Sequence, residues 1–158
     1  WVRSEKEEIF LSKRTRLVLR VPRENIEKVK QLEDATINVL GSKIIIGKSN
    51  TKTFLIVRDL ISRFVLCDKD ETEEEFLLGV KEELLSNGIS IKKAICGKAK
   101  SLTINGKSKI TRSLMIADLS KENSVLLQDI GVGSGRIYGC GIFLPHKSID
   151  AVSGFKED

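Results

Sequence analysis

Residues Ala94 to Leu119 read AICGKAKSLTINGKSKITRSLMIADL, and the fold turns on how this stretch is parsed. Two β-like runs, Ala94–Ile104 and Lys109–Leu119, flank the dipeptide Asn105-Gly106. Asn-Gly is favoured in tight hairpins because the turn that matches strand twist needs positive φ at both central residues. The stretch therefore predicts an antiparallel hairpin. On its N-terminal side, Lys69–Asn87 predicts a helix. Thr72 followed three residues later by Glu75 is a capping box, and Phe76, Leu77, Val80, Leu84 and Leu85 recur at helical spacing before Asn87-Gly88. Before that helix, Lys52–Leu66 (KTFLIVRDLISRFVL) is a strand-like run, long for one strand. After the hairpin, Ser120 caps a short helix carrying Val125, Leu126, Leu127 and Ile130. A last strand, Gly141–Leu144, ends at Pro145. The order over residues 51–146 is thus β-α-β-β-α-β, that of a ferredoxin-like or RNA-recognition-motif domain.

The first part of the chain gives a partial version of the same order. Glu8–Leu11 is a weak strand, Arg16–Val21 a strand and Arg23–Gln31 a helix; Thr36–Leu40 and Ser42–Ile46 are short strands around Gly41. A ferredoxin-like half without its opening β-α unit would leave a sheet edge unpaired. The expected fold class is α+β, with tandem ferredoxin-like domains. Residues 1–50 form an incomplete first domain, 51–146 a second that holds the glycine-rich loop, and 147–158 a tail.

The 158 residues carry 27 Lys and Arg against 22 Asp and Glu, a net charge of +5 that favours an anionic partner. The distribution is sharper than the total. Lys92–Arg112 holds seven basic residues and no acid, Lys13–Arg23 holds five basic residues and no acid, and Asp68–Glu83 holds eight acids against two lysines. Cys67, Cys96 and Cys140 are odd in number and widely spaced, which argues against a disulfide scaffold or a zinc cluster and fits a reducing cytoplasm. No apolar run approaches the roughly 20 residues that span a bilayer. No Walker-type or Rossmann glycine pattern follows a strand, which excludes the common nucleotide-binding folds.

Between the last helix and the last strand lies GVGSGRIYGCG, Gly131 to Gly141, with five glycines in eleven residues. Glycine is retained at such density where the backbone takes positive φ or approaches something closely. The pattern here is Gly131-Val132-Gly133, five residues, then Gly139-Cys140-Gly141. It resembles the GhGxxxxxGhG signature of the RAMP superfamily of CRISPR-associated proteins. Within it, the chain is similar to the CRISPR repeat-processing endoribonucleases, above all a short subfamily of myxobacterial and cyanobacterial type I systems. That similarity rests on LSKRTRLVLRVP (Leu11–Pro22), the basic hairpin and the ending GCGIFLPH.

The resemblance implies an enzyme that binds the stem-loop of precursor CRISPR RNA and cuts it by 2′-OH attack, with no metal and no cofactor. It would stay on the product within a type I effector complex, transposon-associated complexes among them. Members of the subfamily begin with a further stretch bearing a β-α unit and a histidine, which nothing here matches, so the catalytic histidine is expected in a segment missing from this sequence. Two other readings stand beside this one. One is a non-catalytic RAMP-type subunit that only holds guide RNA. The other is an unrelated RNA-recognition-motif binder, whose sheet should carry paired aromatics that this chain lacks.

Several residues are candidates for RNA contact. Lys98, Lys100, Lys107, Lys109 and Arg112 sit at largely alternating positions along the hairpin, so most could share one face; lysines also guard a strand edge against pairing. Arg14 and Arg16 alternate in the same way. Gly131, Gly133, Gly135, Gly139 and Gly141 could offer amides to phosphates with Arg136 adding charge, or could let the loop lie flat. Tyr138 could stack on a base or pack at a domain interface. His146, the sole histidine, is a candidate for proton transfer, although an exposed terminal histidine is more often merely solvated. The acidic segment Asp70–Glu83 is expected to be a solvated back face, and the cysteines small buried hydrophobes.

Overall fold

A computed structural model describes residues 14–39, 41–68 and 71–146. The chain divides into two compact units, Trp1–Lys52 and Thr53–Asp158. In the first unit, a short 3-10 turn (Arg23–Asn25) leads into α1 (Ile26–Lys30), and β1 (Thr36–Val39) pairs antiparallel with β2 (Ser42–Ile45). The strand expected at Arg16–Val21 is not formed. Apolar alternation specifies a strand only where a neighbouring strand takes up its amides, and none of the described strands pairs with this segment. The weak strand at Glu8–Leu11 and the tail from residue 147 lie outside the described residues.

The second unit has the ferredoxin-like order: β3 (Leu60–Cys67), α2 (Glu73–Ser86), β4 (Lys93–Cys96), β5 (Lys100–Ile104), β6 (Lys107–Ala117), α3 (Lys121–Ile130) and β7 (Leu144–Pro145). All pairings are antiparallel. β6 is central, with β3 on one side and β4 then β5 on the other, and β3 in turn pairs β7. The hairpin between β5 and β6 turns at Asn105 (φ 50°) and Gly106 (φ 73°), the left-handed pair that the Asn-Gly dipeptide prescribes. The first run of the hairpin is broken at Gly97–Ala99, where the register against β6 shifts by one residue.

Only the second half of Lys52–Leu66 becomes a strand. Upstream, the backbone is engaged by α3: Ser124 Oγ accepts from the Val57 amide at 3.3 Å, and Gln128 Nε2 donates to the Leu55 carbonyl at 2.8 Å. Those two polar side chains, both buried, replace a strand partner. The core lies between the sheet and the two helices, with Leu60, Val65, Leu114 and Ile116 from the strands meeting Phe76, Val80, Leu84 and Leu127 from α2 and α3. Thr72 and Glu75 close the capping box, the Glu75 amide donating to Thr72 Oγ1 and the Thr72 amide to Glu75 Oε2. Leu85, expected in the core with this stripe, faces solvent instead; it sits one residue beyond Leu84, about 100° around the helix. β7 is shorter than expected and takes in Pro145, which pairs with Leu60.

Candidate nucleic-acid interface

Register fixes the faces of the basic hairpin. Lys107 stands opposite Ile104, Lys109 opposite Leu102 and Lys100 opposite Thr111, so Lys100, Lys107 and Lys109 share one face with Leu102 and Ile104. All three lysines are exposed. Continuing the alternation along β6, this face is the one away from α2 and α3, because Leu114 and Ile116, on the other parity, are buried in the core. Lys98 is exposed in the irregular break between β4 and β5.

Arg112 does not join this face. It has the parity of Leu114 and points to the helix side. There its guanidinium donates to the Gly97 carbonyl (3.2 Å) and the Glu71 carbonyl (3.0 Å) and lies over the Phe76 ring, 6.0 Å from its centre. It binds the hairpin to the entrance of α2 rather than to a ligand. Arg14 and Arg16 are exposed in the first unit, but the strand on which they were expected to alternate is absent.

The glycine-rich loop turns most of its amides inward. The Gly131 amide donates to Leu127 O, Gly139 to Arg136 O and Gly141 to Phe64 O, and Gly133 donates to both carboxylate oxygens of Glu83 at 2.9 and 3.1 Å. These four glycines therefore offer no amide to a phosphate. What they permit is close backbone crossing. Gly131 and Gly141 both have positive φ, and a Cβ on either would collide with backbone, the Gly141 carbonyl in one case and the Val132 carbonyl in the other. Gly135 is also left-handed, against Leu66 and Cys140. Arg136 is similarly committed: its Nε donates to Ile130 O at 2.6 Å and Nη1 to Gly133 O at 2.9 Å, closing the end of α3.

Glu83 is the site residue that the sequence reading missed. It belongs to the acidic segment taken as a solvated back face, yet it is half-buried and anchors the loop. The available signal was its position, seven residues after Phe76 and so within the buried stripe of α2. Beside it, a cleft of about 120 Å³ is lined by Val65, Leu66, Gly79 and Val80, with Glu71 and Glu83 as its charged groups. Two carboxylates give it the wrong sign for a phosphate.

Tyr138 joins the loop to the hairpin. It lies in a 3-10 turn, Arg136–Tyr138, framed by the left-handed Gly135 and Gly139. Its hydroxyl accepts from Asn105 Nδ2, at the hairpin tip, at 2.9 Å. The glycine loop and the lysine face thus meet at one end of the sheet. His146 is at the other end, where its amide donates to Asp59 O at the start of β3. The tip lies beyond the far end of that eight-residue strand, more than about 20 Å away along the sheet. Near His146, Asp118 is held below the usual carboxylate range by the hydrogen bond and charge of Lys93 and by Arg58. The three cysteines are free, and burial pushes each thiol up, which leaves them poor nucleophiles.

A family model described as Cas6 Crispr matches residues 1–148. The chain belongs to the Cas6 family. A curated Cas6 relative, the CRISPR-associated endonuclease Cas6 of Myxococcus xanthus (strain DK1622), is 27% identical over 144 residues, covering 91% of this chain and 62% of the relative. The chain thus spans less than two thirds of the length of the Cas6 protein it matches. Antiparallel sheets with helices on one side agree with the ferredoxin-like architecture that the resemblance implied. Among the described residues, no helix is long and apolar enough to cross a membrane.

Proposed function

We propose that this Cas6 chain is a CRISPR-associated endoribonuclease that acts in the cytoplasm, gripping the repeat stem-loop of precursor CRISPR RNA and cutting it. The observation that carries this reading is the joining of two elements at one end of the sheet. A lysine face with no acidic residue is tied through Tyr138 and Asn105 to the family's glycine-rich loop. Lys100, Lys107 and Lys109 lie along one side of the two-stranded arm and suit the phosphates of a duplex; Lys98 is a further exposed cation at the break before β5. The loop supports this role through its shape, since Gly131, Gly133, Gly139 and Gly141 use their amides internally.

Cleavage proceeds without a metal. The 2′-oxygen attacks the adjacent phosphorus and the P–O5′ bond breaks. A base takes the 2′-OH proton and an acid protonates the 5′-oxygen, leaving a 2′,3′-cyclic phosphate. Lysine charge offsets the extra negative charge on the phosphorane. The product hairpin stays bound within a type I effector assembly.

The test is cleavage of a labelled CRISPR repeat hairpin in EDTA by the complete protein, with a 2′-deoxy sugar at the cut site as control. Cleavage that the deoxy sugar abolishes supports the reading. Tight binding with no cleavage would reduce the chain to a guide-RNA-holding subunit, and absence of binding would overturn the RNA reading altogether.

A further inference from the structure

Ile137 sits at the apex of the 3-10 turn between Arg136 and Tyr138 and is 87% exposed, more than any other large hydrophobic among the described residues. A β-branched apolar side chain in water gains nothing from folding. The turn that presents it is fixed from both sides. Arg136 ties the turn to Ile130 and Gly133, while Tyr138, 49% exposed, is tied to the hairpin tip at Asn105. With its hydroxyl engaged, the half-exposed Tyr138 ring is fixed in place on the same turn, one residue along from Ile137.

We propose that Ile137, on the turn it shares with the half-exposed Tyr138, is a nucleobase contact: an apolar step on which an unpaired base, or the end of an RNA duplex, rests. This rests on the RNA reading above. The occupant is identified by its surroundings. The step adjoins a hairpin whose charged side chains are all cations, so the matching ligand pairs an apolar face with a line of negative charge, as a nucleotide strand does. Asn105 and Tyr138 then act as positioning residues that keep the step and the lysine face in one rigid relation.

An uncharged contact and a phosphate contact separate in a salt titration. Binding of a labelled repeat hairpin would be measured from low to moderate salt for the wild-type chain and for Ile137→Ala, Ile137→Trp and Tyr138→Phe. Ile137→Ala should weaken binding about five- to tenfold, the lower range for loss of a stacking group, with an unchanged dependence of affinity on salt. Ile137→Trp should restore or exceed wild-type affinity. Tyr138→Phe keeps the ring but frees the tip, so it should weaken hairpin binding more than binding of the same sequence as an unstructured strand. Ile137 is solvent-exposed, so its replacement leaves the fold intact. If the wild-type chain binds the hairpin and Ile137→Ala binds it equally well, the nucleobase contact is refuted while the RNA reading stands. If Ile137→Trp weakens binding further, the step is not a stacking surface. If the wild-type chain binds no RNA, the reading beneath the proposal fails first.

Discussion

Gly141 and Gly131 carry the loop between them. Each has a φ near +67°, and each faces a carbonyl that a methyl group would strike, with the Val132 amide donating to Gly141 O at 3.1 Å across the crossing. Gly141→Ala should therefore destabilise the chain by about 2–4 kcal/mol, combining left-handed strain with a clash that neither backbone can relieve. Thermal or denaturant unfolding checks this, and an unchanged midpoint would refute the crossing. The glycine spacing showed from the sequence that close approach was needed, but not what was approached. Phosphates and a second strand of the same loop impose the same demand, and only the partners of the amides separate them. Glu83 illustrates the same limit. Its charge suggested solvent, its place in the Phe76–Val80 stripe suggested burial, and the Gly133 amide decided the matter.

Among the elements, α2 and the β5–β6 hairpin were the most legible, because each is written in local chemistry. Thr72 with Glu75 and Asn105 with Gly106 specify a cap and a turn within a few residues. The cap also makes a prediction. The Thr72 backbone and hydroxyl hold the Glu75 carboxyl below its usual range, so its folded value is depressed. The stabilisation is then fully present above the unfolded value and is lost as the pH falls through the folded one, in the window below about pH 4. Thr72→Ala should cost about 1 kcal/mol near neutral pH, and Glu75→Gln, which cannot titrate, should lose this acid-side dependence; circular dichroism across pH checks both. Elements set by distant partners were less legible. Arg16–Val21 alternates like a strand but finds no pairing strand among the described residues, and Lys52–Leu66 is interrupted because Ser124 and Gln128 take up its backbone at residues 55–57. Arg112 shows the same dependence on register. One residue of alternation places it over Phe76 instead of beside the lysines.

At the scale of the molecule, charge is segregated more strongly than the net +5 conveys. In the second unit three lysines, Lys100, Lys107 and Lys109, line the open face of the hairpin. Acids concentrate in and just before α2, and there Glu71 and Glu83 line a cleft unsuited to phosphate. This polarity, the tie between loop and hairpin, and membership of the Cas6 family support the proposal that RNA is held at the lysine end of the sheet. The most direct test is the salt dependence of affinity for a labelled repeat hairpin, comparing the wild-type chain with Lys107→Ala/Lys109→Ala. Each lysine that neutralises a phosphate contributes about 0.9 to the slope of log affinity against log salt, so the double variant should bind more weakly with a slope shallower by about 2. An unchanged slope in a folded double variant would place the RNA elsewhere and contradict the account.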